Sequence, residues 1–141
     1  MLQVHVAAAA AALLLGPAVF LRPKGDRPHR FAGYLFVIAM VLANGSALAV
    51  YDVTGGPNFF HAMALVSLTT VSAGVVWARR GDIRAHQSCM YWAYAGLIIA
   101  LANRLSPLLP LPFWLASLII VLAVTAATHL IVERLISTAD E

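Results

Sequence analysis

Charge and cysteine are both scarce in this chain. Only 11% of its 141 residues are charged, while 62% are hydrophobic; soluble globular domains carry about 25% charged residues. So few charges cannot cover a water-facing surface, and the composition indicates a membrane protein built almost wholly of spanning helices. The single cysteine, Cys89, excludes an intramolecular disulfide, and no Cys-x-x-Cys zinc-finger spacing is present.

The sequence motifs of side-chain catalysis are also missing. There is no phosphate-binding loop, no paired carboxylates and no pattern of a nucleophile triad, so hydrolytic and phosphoryl-transfer chemistry has no support. The formal net charge is +3, but the cations fall in short loops between apolar runs instead of along one surface stripe. That distribution is typical of membrane topology. We therefore expect the lipid bilayer, and not nucleic acid, as the surroundings of this chain.

Five apolar segments are each long enough to cross a bilayer, which takes about 20 helical residues. The breaks between them are clusters of proline, glycine and charge, through which a helix does not continue. We predict an all-α integral membrane bundle that forms a single domain over residues 1–141. Its helices are expected at about 2–21, 31–52, 59–78, 86–105 and 113–134.

The charges in the loops predict the orientation of the bundle. Loop 22–30 carries four Lys or Arg residues and loop 79–84 carries three, whereas 53–58 carries none and the last loop has only Arg104 beside it. Cytoplasmic loops are enriched in Lys and Arg, so we expect the N-terminus outside and the C-terminus in the cytoplasm. The cations follow the first apolar run and do not precede it, which favours a retained helix over a signal peptide.

Four histidines lie near the ends of consecutive predicted helices, on alternating sides of the membrane. His5 and His61 lie at the outer ends of helices 1 and 3, and His29 and His86 at the inner ends of helices 2 and 4. Two imidazoles that face each other across a bundle are what a six-coordinate haem iron requires. The pattern predicts one or two b-type haems, with His5 and His61 as one pair of axial ligands and His29 and His86 as the other.

Arginines near these histidines suit the propionate groups of a haem. Arg30 and Arg84 lie within two residues of the inner histidines, and Arg104 lies toward the outer level. Planar guanidinium groups match carboxylates, so we predict that all three contact the cofactor. Gly33, one turn from His29, leaves space beside a flat macrocycle. No side chain is predicted to be catalytic, since the iron would carry the redox chemistry.

The sequence leaves three other interpretations open. Each histidine alone is also typical of a membrane interface, where its ring stays among headgroups and its polar tip reaches water; the bundle would then be a haem-free accessory or scaffold subunit. A zinc or copper site would combine His29, His86 and His129. Proton or metal transport would need a polar path, for which Asn44 and scattered Ser and Thr residues are the only candidates.

The chain carries two motifs, HRFAG (29–33) and ARRGDIRAHQSCM (78–90), together with His61, which opens a helix between them, and Arg104, near the end of the helix that the second motif begins. In these features the chain resembles an uncharacterised bacterial family of predicted membrane proteins. The resemblance implies a multi-pass protein of the bacterial inner membrane. In arrangement only, the order of the four histidines is similar to that of the ascorbate-dependent transmembrane di-haem cytochromes b. The expected partners of such an electron carrier are a quinone or a subunit of a larger redox complex, within a homo-oligomer or hetero-complex.

Overall fold

The computed structural model describes residues 1–50, 56, 58–108 and 110–137, with the backbone alone for 135–137. A short 3-10 turn, Ser106–Leu108, follows the fourth helix. No strand occurs in the described residues, which confirms the prediction of an all-α protein. The helices are α1 (Leu2–Phe20), α2 (Arg27–Ala47), α3 (Phe59–Arg80), α4 (Ile83–Leu105) and α5 (Phe113–Ser137).

Four of these helices, α1, α2, α3 and α5, are long enough and apolar enough to cross a membrane. The fourth helix has 23 residues, but its first turns carry His86, Gln87 and Ser88, which lower its mean hydropathy. A multi-pass helical membrane protein is therefore confirmed. The fifth span and the orientation of the termini stay predictions.

Two helices begin about one turn before their apolar segments because aspartates cap them. The Asp26 carboxylate accepts a hydrogen bond from the His29 main-chain N–H at 2.6 Å, and Asp82 accepts from Ala85 N–H at 2.9 Å. Each carboxylate satisfies an N–H group that the first helical turn leaves unpaired. As a result, His29 and His86 lie within the starts of α2 and α4, and the predicted starts at 31 and 86 were too late.

Several predicted helix ends also differ from the observed ones. The second helix ends at Ala47, before the predicted end at 52; residues 51 and 52 lie outside the described residues. The third continues past its apolar segment to Arg80 and stops where Gly81 takes a φ of +81°. Glycine adopts this left-handed conformation without steric cost and commonly ends helices. The last helix continues to Ser137, past the predicted end at 134.

Contacts divide the chain into two compact units, Met1–Val71 and Ser72–Glu141, with the boundary inside α3. In the first unit α1 and α2 pack as an antiparallel hairpin. The ring of Phe20 meets that of Phe36 edge to face, with 5.9 Å between centroids. Small side chains let the helices approach closely, which matters in lipid, where apolar burial does not drive association. The buried residues of the hairpin are Ala8, Ala12, Gly16 and Val19 of α1 and Phe36, Ala39, Met40 and Ala43 of α2.

In the second unit α4 packs against α5 and against the 3-10 turn. Its buried face includes Met90, Ala93, Ala95, Ile99 and Asn103. The Asn103 amide donates to the Ile99 carbonyl at 3.0 Å, and the Ser106 hydroxyl donates to the Asn103 carbonyl at 2.7 Å. These local bonds pair polar groups that would be costly in an apolar environment.

Candidate functional site

The imidazole of His86, in α4, is anchored to the main chain of α3. Its Nδ1 lies 2.9 Å from the carbonyl oxygen of Gly74. A carbonyl oxygen only accepts hydrogen bonds, so Nδ1 carries the proton and donates it. The neutral ring then keeps its lone pair on Nε2, the nitrogen through which histidine commonly binds a metal. The His86 side chain is half-buried, so part of it remains exposed.

This hydrogen bond depends on the absence of a side chain at Gly74. A Cβ at that position would overlap the Met90 Cε and would lie 3.0 Å from the Cys89 Cβ. Glycine therefore allows α4 to approach the backbone of α3 until the His86 ring reaches the carbonyl oxygen. Cys89 and Met90 act here as packing residues around that close approach.

His5, in α1, makes the same kind of bond within the other unit. Its Nδ1 lies 2.9 Å from the carbonyl oxygen of Ala43, in α2, so Nδ1 again donates and Nε2 keeps the lone pair. The Ser46 hydroxyl lies 3.0 Å from the same carbonyl oxygen, and its shorter hydrogen bond goes to the Leu42 carbonyl oxygen at 2.5 Å. His5 is half-buried, like His86. In both histidines, the main chain of a neighbouring helix fixes the tautomer that suits a metal ligand.

His61 takes the opposite tautomer. The main-chain N–H of Asn58 donates to its Nδ1 at 3.3 Å, so in the neutral ring the proton resides on Nε2. The residue is only 8% exposed. Asn58 also accepts from the Phe60 N–H at 2.8 Å through its side chain, as a residue that starts a helix does. His61 therefore belongs to the capping structure of α3, and ligation through Nε2 requires its proton to move.

His29 lies in the first turn of α2 and is half-buried. Its main-chain N–H is bonded to Asp26, but its ring Nδ1 is buried and has no hydrogen-bond partner in the part of the chain that the structure describes. A buried polar atom without a partner costs free energy. His29 therefore lies in the same unit as His5, but no hydrogen bond through Nδ1 orients its ring.

His129, for which the sequence offered no partner histidine, pairs with an acidic side chain instead. Its Nε2 lies 3.1 Å from the Glu133 Oε1 one turn later, and the two side chains are 63% and 60% exposed. The described residues contain no group of three His, Cys, Asp or Glu side chains that could hold a metal ion. The alternative of a zinc or copper site at His29, His86 and His129 therefore gains no support from the structure.

The three arginines predicted to contact a cofactor lie near helix ends and are exposed. Arg30 lies in the first turns of α2, Arg84 in the first turn of α4, and Arg104 in the last turn of α4. Carboxylates and headgroup phosphates can both reach guanidinium groups in such positions. Their contact with a cofactor stays a prediction.

A family described as a predicted membrane protein, DUF2306, matches residues 2–138. The chain belongs to the DUF2306 family. The match includes all four histidines and the three arginines of the candidate site, and it confirms the resemblance carried by HRFAG and ARRGDIRAHQSCM. No curated protein and no solved structure matches the chain. DUF2306 membership supports a membrane protein.

Proposed function

We propose that this DUF2306 protein binds b-type haem through imidazole ligands and carries electrons across or within the membrane. The observation that carries the proposal is the pair of Nδ1-to-carbonyl bonds at His5 and His86, each 2.9 Å long. Metal-ligating histidines almost always donate their other ring N–H to a carboxylate, a carbonyl or water, which fixes the ring and raises its basicity. Each unit of the protein supplies one such ring.

The other two histidines fit the role of a ligand unequally. The ring Nδ1 of His29 has no hydrogen-bond partner among the described residues. No hydrogen bond at Nδ1 therefore fixes which ring nitrogen of His29 would bind iron. His61 holds its proton on Nε2 because of Asn58, and ligation would exchange that 3.3 Å hydrogen bond for a metal bond. The pairings of His5 with His61 and of His29 with His86 remain predictions from the order of the helices.

The protein would contribute position and surroundings to the cofactor. Bound haem would supply one-electron exchange at its iron. The neighbouring main chain orients His5 and His86, and Arg30, Arg84 and Arg104 would pair with propionates through their planar donors. We expect one or two haems per chain, a quinone or a redox-complex subunit as partner, and a place in the bacterial inner membrane with the N-terminus outside, in a homo-oligomer or hetero-complex.

A haem-free accessory or scaffold subunit is the second candidate. It is favoured by His129, whose bond to Glu133 accounts for its ring without any ligand, and by the bond that joins Nδ1 of His61 to Asn58. The bonds of His5 and His86 would then serve only as clamps between helices. Interhelical hydrogen bonds of this kind contribute about 1 kcal/mol each.

Visible absorption spectra of the protein purified in mild detergent, oxidised and then reduced with dithionite, separate the two candidates. If the proposal is right, the reduced protein shows a sharp α-band that weakens in His5→Ala and in His86→Ala. The matched control His129→Ala removes an imidazole that is already paired, and it should keep the full band. Identical bands in all variants would exclude His5 and His86 as ligands, and a colourless protein made with ample haem would favour the scaffold.

A further inference from the structure

The turn between α3 and α4 gathers three cations around a single acidic residue. Arg79, Arg80 and Arg84 lie within residues 79–84, and all are exposed. Asp82 is the acidic residue between them, and its Oδ1 accepts the hydrogen bond from Ala85 N–H that caps α4. The carboxylate is thus engaged with the positive end of a helix, and the turn keeps a surplus of positive charge.

The main chain closes this turn without using the arginines. Gly81 N–H donates to the Ala78 carbonyl at 3.2 Å, and Asp82 N–H donates to the Trp77 carbonyl at 3.1 Å, which satisfies carbonyl groups at the end of α3. The exposed Arg79 side chain makes no hydrogen bond or ion pair with any residue that the structure describes.

An aromatic ring indicates the depth of this turn in the membrane. The guanidinium carbon of Arg80 lies 5.3 Å from the centre of the Trp77 ring, as in a cation–π contact. The turn follows directly on α3, which is long and apolar enough to span a membrane, and tryptophan is enriched at the membrane–water interface. At this end of a spanning helix, the cation that the ring contacts would lie among the headgroups, where the available anion is a lipid phosphate.

We infer that the basic turn, residues 77–84, binds the phosphate of an anionic phospholipid. Guanidinium groups bind phosphate oxygens through two parallel hydrogen bonds, and the described part of the chain leaves the donors of Arg79 unused. A phospholipid is favoured over soluble phosphate because a spanning helix and the Trp77 ring hold the turn where lipid headgroups are concentrated. The inference does not depend on haem.

Quenching of Trp77 fluorescence by brominated lipids tests the inference. The variant Trp92→Phe, Trp114→Phe leaves Trp77 as the one tryptophan, and it is reconstituted in vesicles with brominated phosphatidylglycerol or brominated phosphatidylcholine in otherwise identical mixtures. We expect the anionic lipid to quench at a several-fold lower mole fraction. Arg79→Gln in this background should reduce that preference about five-fold, the usual effect of one basic residue near an anionic surface. Arg80 is kept because it contacts the reporter itself.

Two controls make the outcome decisive. Arg22→Gln removes the same charge from the loop between α1 and α2, and it should leave the preference at Trp77 unchanged. Equal quenching by the two lipids, an unchanged preference in Arg79→Gln, or an equal loss in Arg22→Gln would each overturn the inference. Millimolar inorganic phosphate at constant ionic strength should not reduce the preference; if it does, the turn binds free phosphate and the assignment to lipid is wrong.

Discussion

Replacing Gly74 by alanine should weaken the packing of α4 on α3 and disturb the His86 ring. The added Cβ would overlap the Met90 methyl group and would lie 3.0 Å from the Cys89 Cβ and 3.6 Å from the His86 carbonyl oxygen. The methionine side chain can rotate about three bonds, but it is buried, with 6% exposure, so displacing it from its packed position carries part of the cost. The Cβ of Cys89 is fixed to the backbone, so relief there requires α4 itself to shift by a few tenths of an ångström.

Two opposing effects set the size of the loss. Alanine is more favourable than glycine inside a helix by about 1 kcal/mol, whereas an extra carbon in a filled contact costs about 1 to 3 kcal/mol. We therefore expect Gly74→Ala to lower the free energy of unfolding by about 1 kcal/mol. Gly33→Ala is the matched control: its Cβ would meet nothing within 4 Å, so that protein should be as stable as the parent or slightly more stable.

Denaturation in detergent, followed by circular dichroism, measures both variants. A double-mutant cycle with Met90→Ala tests the physical cause, because removal of the Met90 side chain should reduce the cost of Gly74→Ala. Equal stability of Gly74→Ala and Gly33→Ala would refute the predicted clash. An equal cost of Gly74→Ala with methionine and with alanine at position 90 would refute it as well.

Three further sets of substitutions test the N-cap of α4, the exposed ion pair and the α1–α2 interface by the same denaturation assay. Asp82→Ala should cost about 1 kcal/mol because α4 loses its N-cap, and Asp82→Asn should recover most of it; equal losses would exclude capping as the cause. His129→Ala and Glu133→Gln should each change stability by no more than about 0.5 kcal/mol, since the pair is exposed, and a larger loss would reveal another contact. Ala12→Leu, at a position with 0% exposure, should cost about 1 to 3 kcal/mol through overpacking, whereas Leu at the exposed Ala11 should be tolerated.

The number of helices and their apolar parts could be predicted from the sequence because lipid leaves an apolar run of that length little alternative to a helix. Their polar first turns could not be found in this way, since these turns depend on capping and not on hydropathy. A readable signal was nevertheless present at the second helix. Asp26 stands at the N-cap and Pro28 at the second helical position, a combination typical of helix starts.

The positions of the candidate ligands could also be predicted from the sequence, but their tautomers could not. The nitrogen with which His5 donates is determined by Ala43, which lies 38 residues away on another helix. Gly74 looks like any other small residue in an apolar run, and its importance follows only from the distance between its backbone and α4. Local sequence carries no information on which main-chain carbonyl a ring will meet.

The most direct test of the proposed function is a haem count, by pyridine haemochrome, on the purified protein and on His86→Asn. An asparagine amide can still donate to the Gly74 carbonyl, so this variant keeps the clamp to α3 and removes the ring nitrogen that would bind iron. We predict at least one haem per chain, a lower count in His86→Asn, and unchanged helical circular dichroism. A protein made with ample haem that carries none, or a count that His86→Asn leaves unaltered, would contradict the assignment of His86 as a haem ligand.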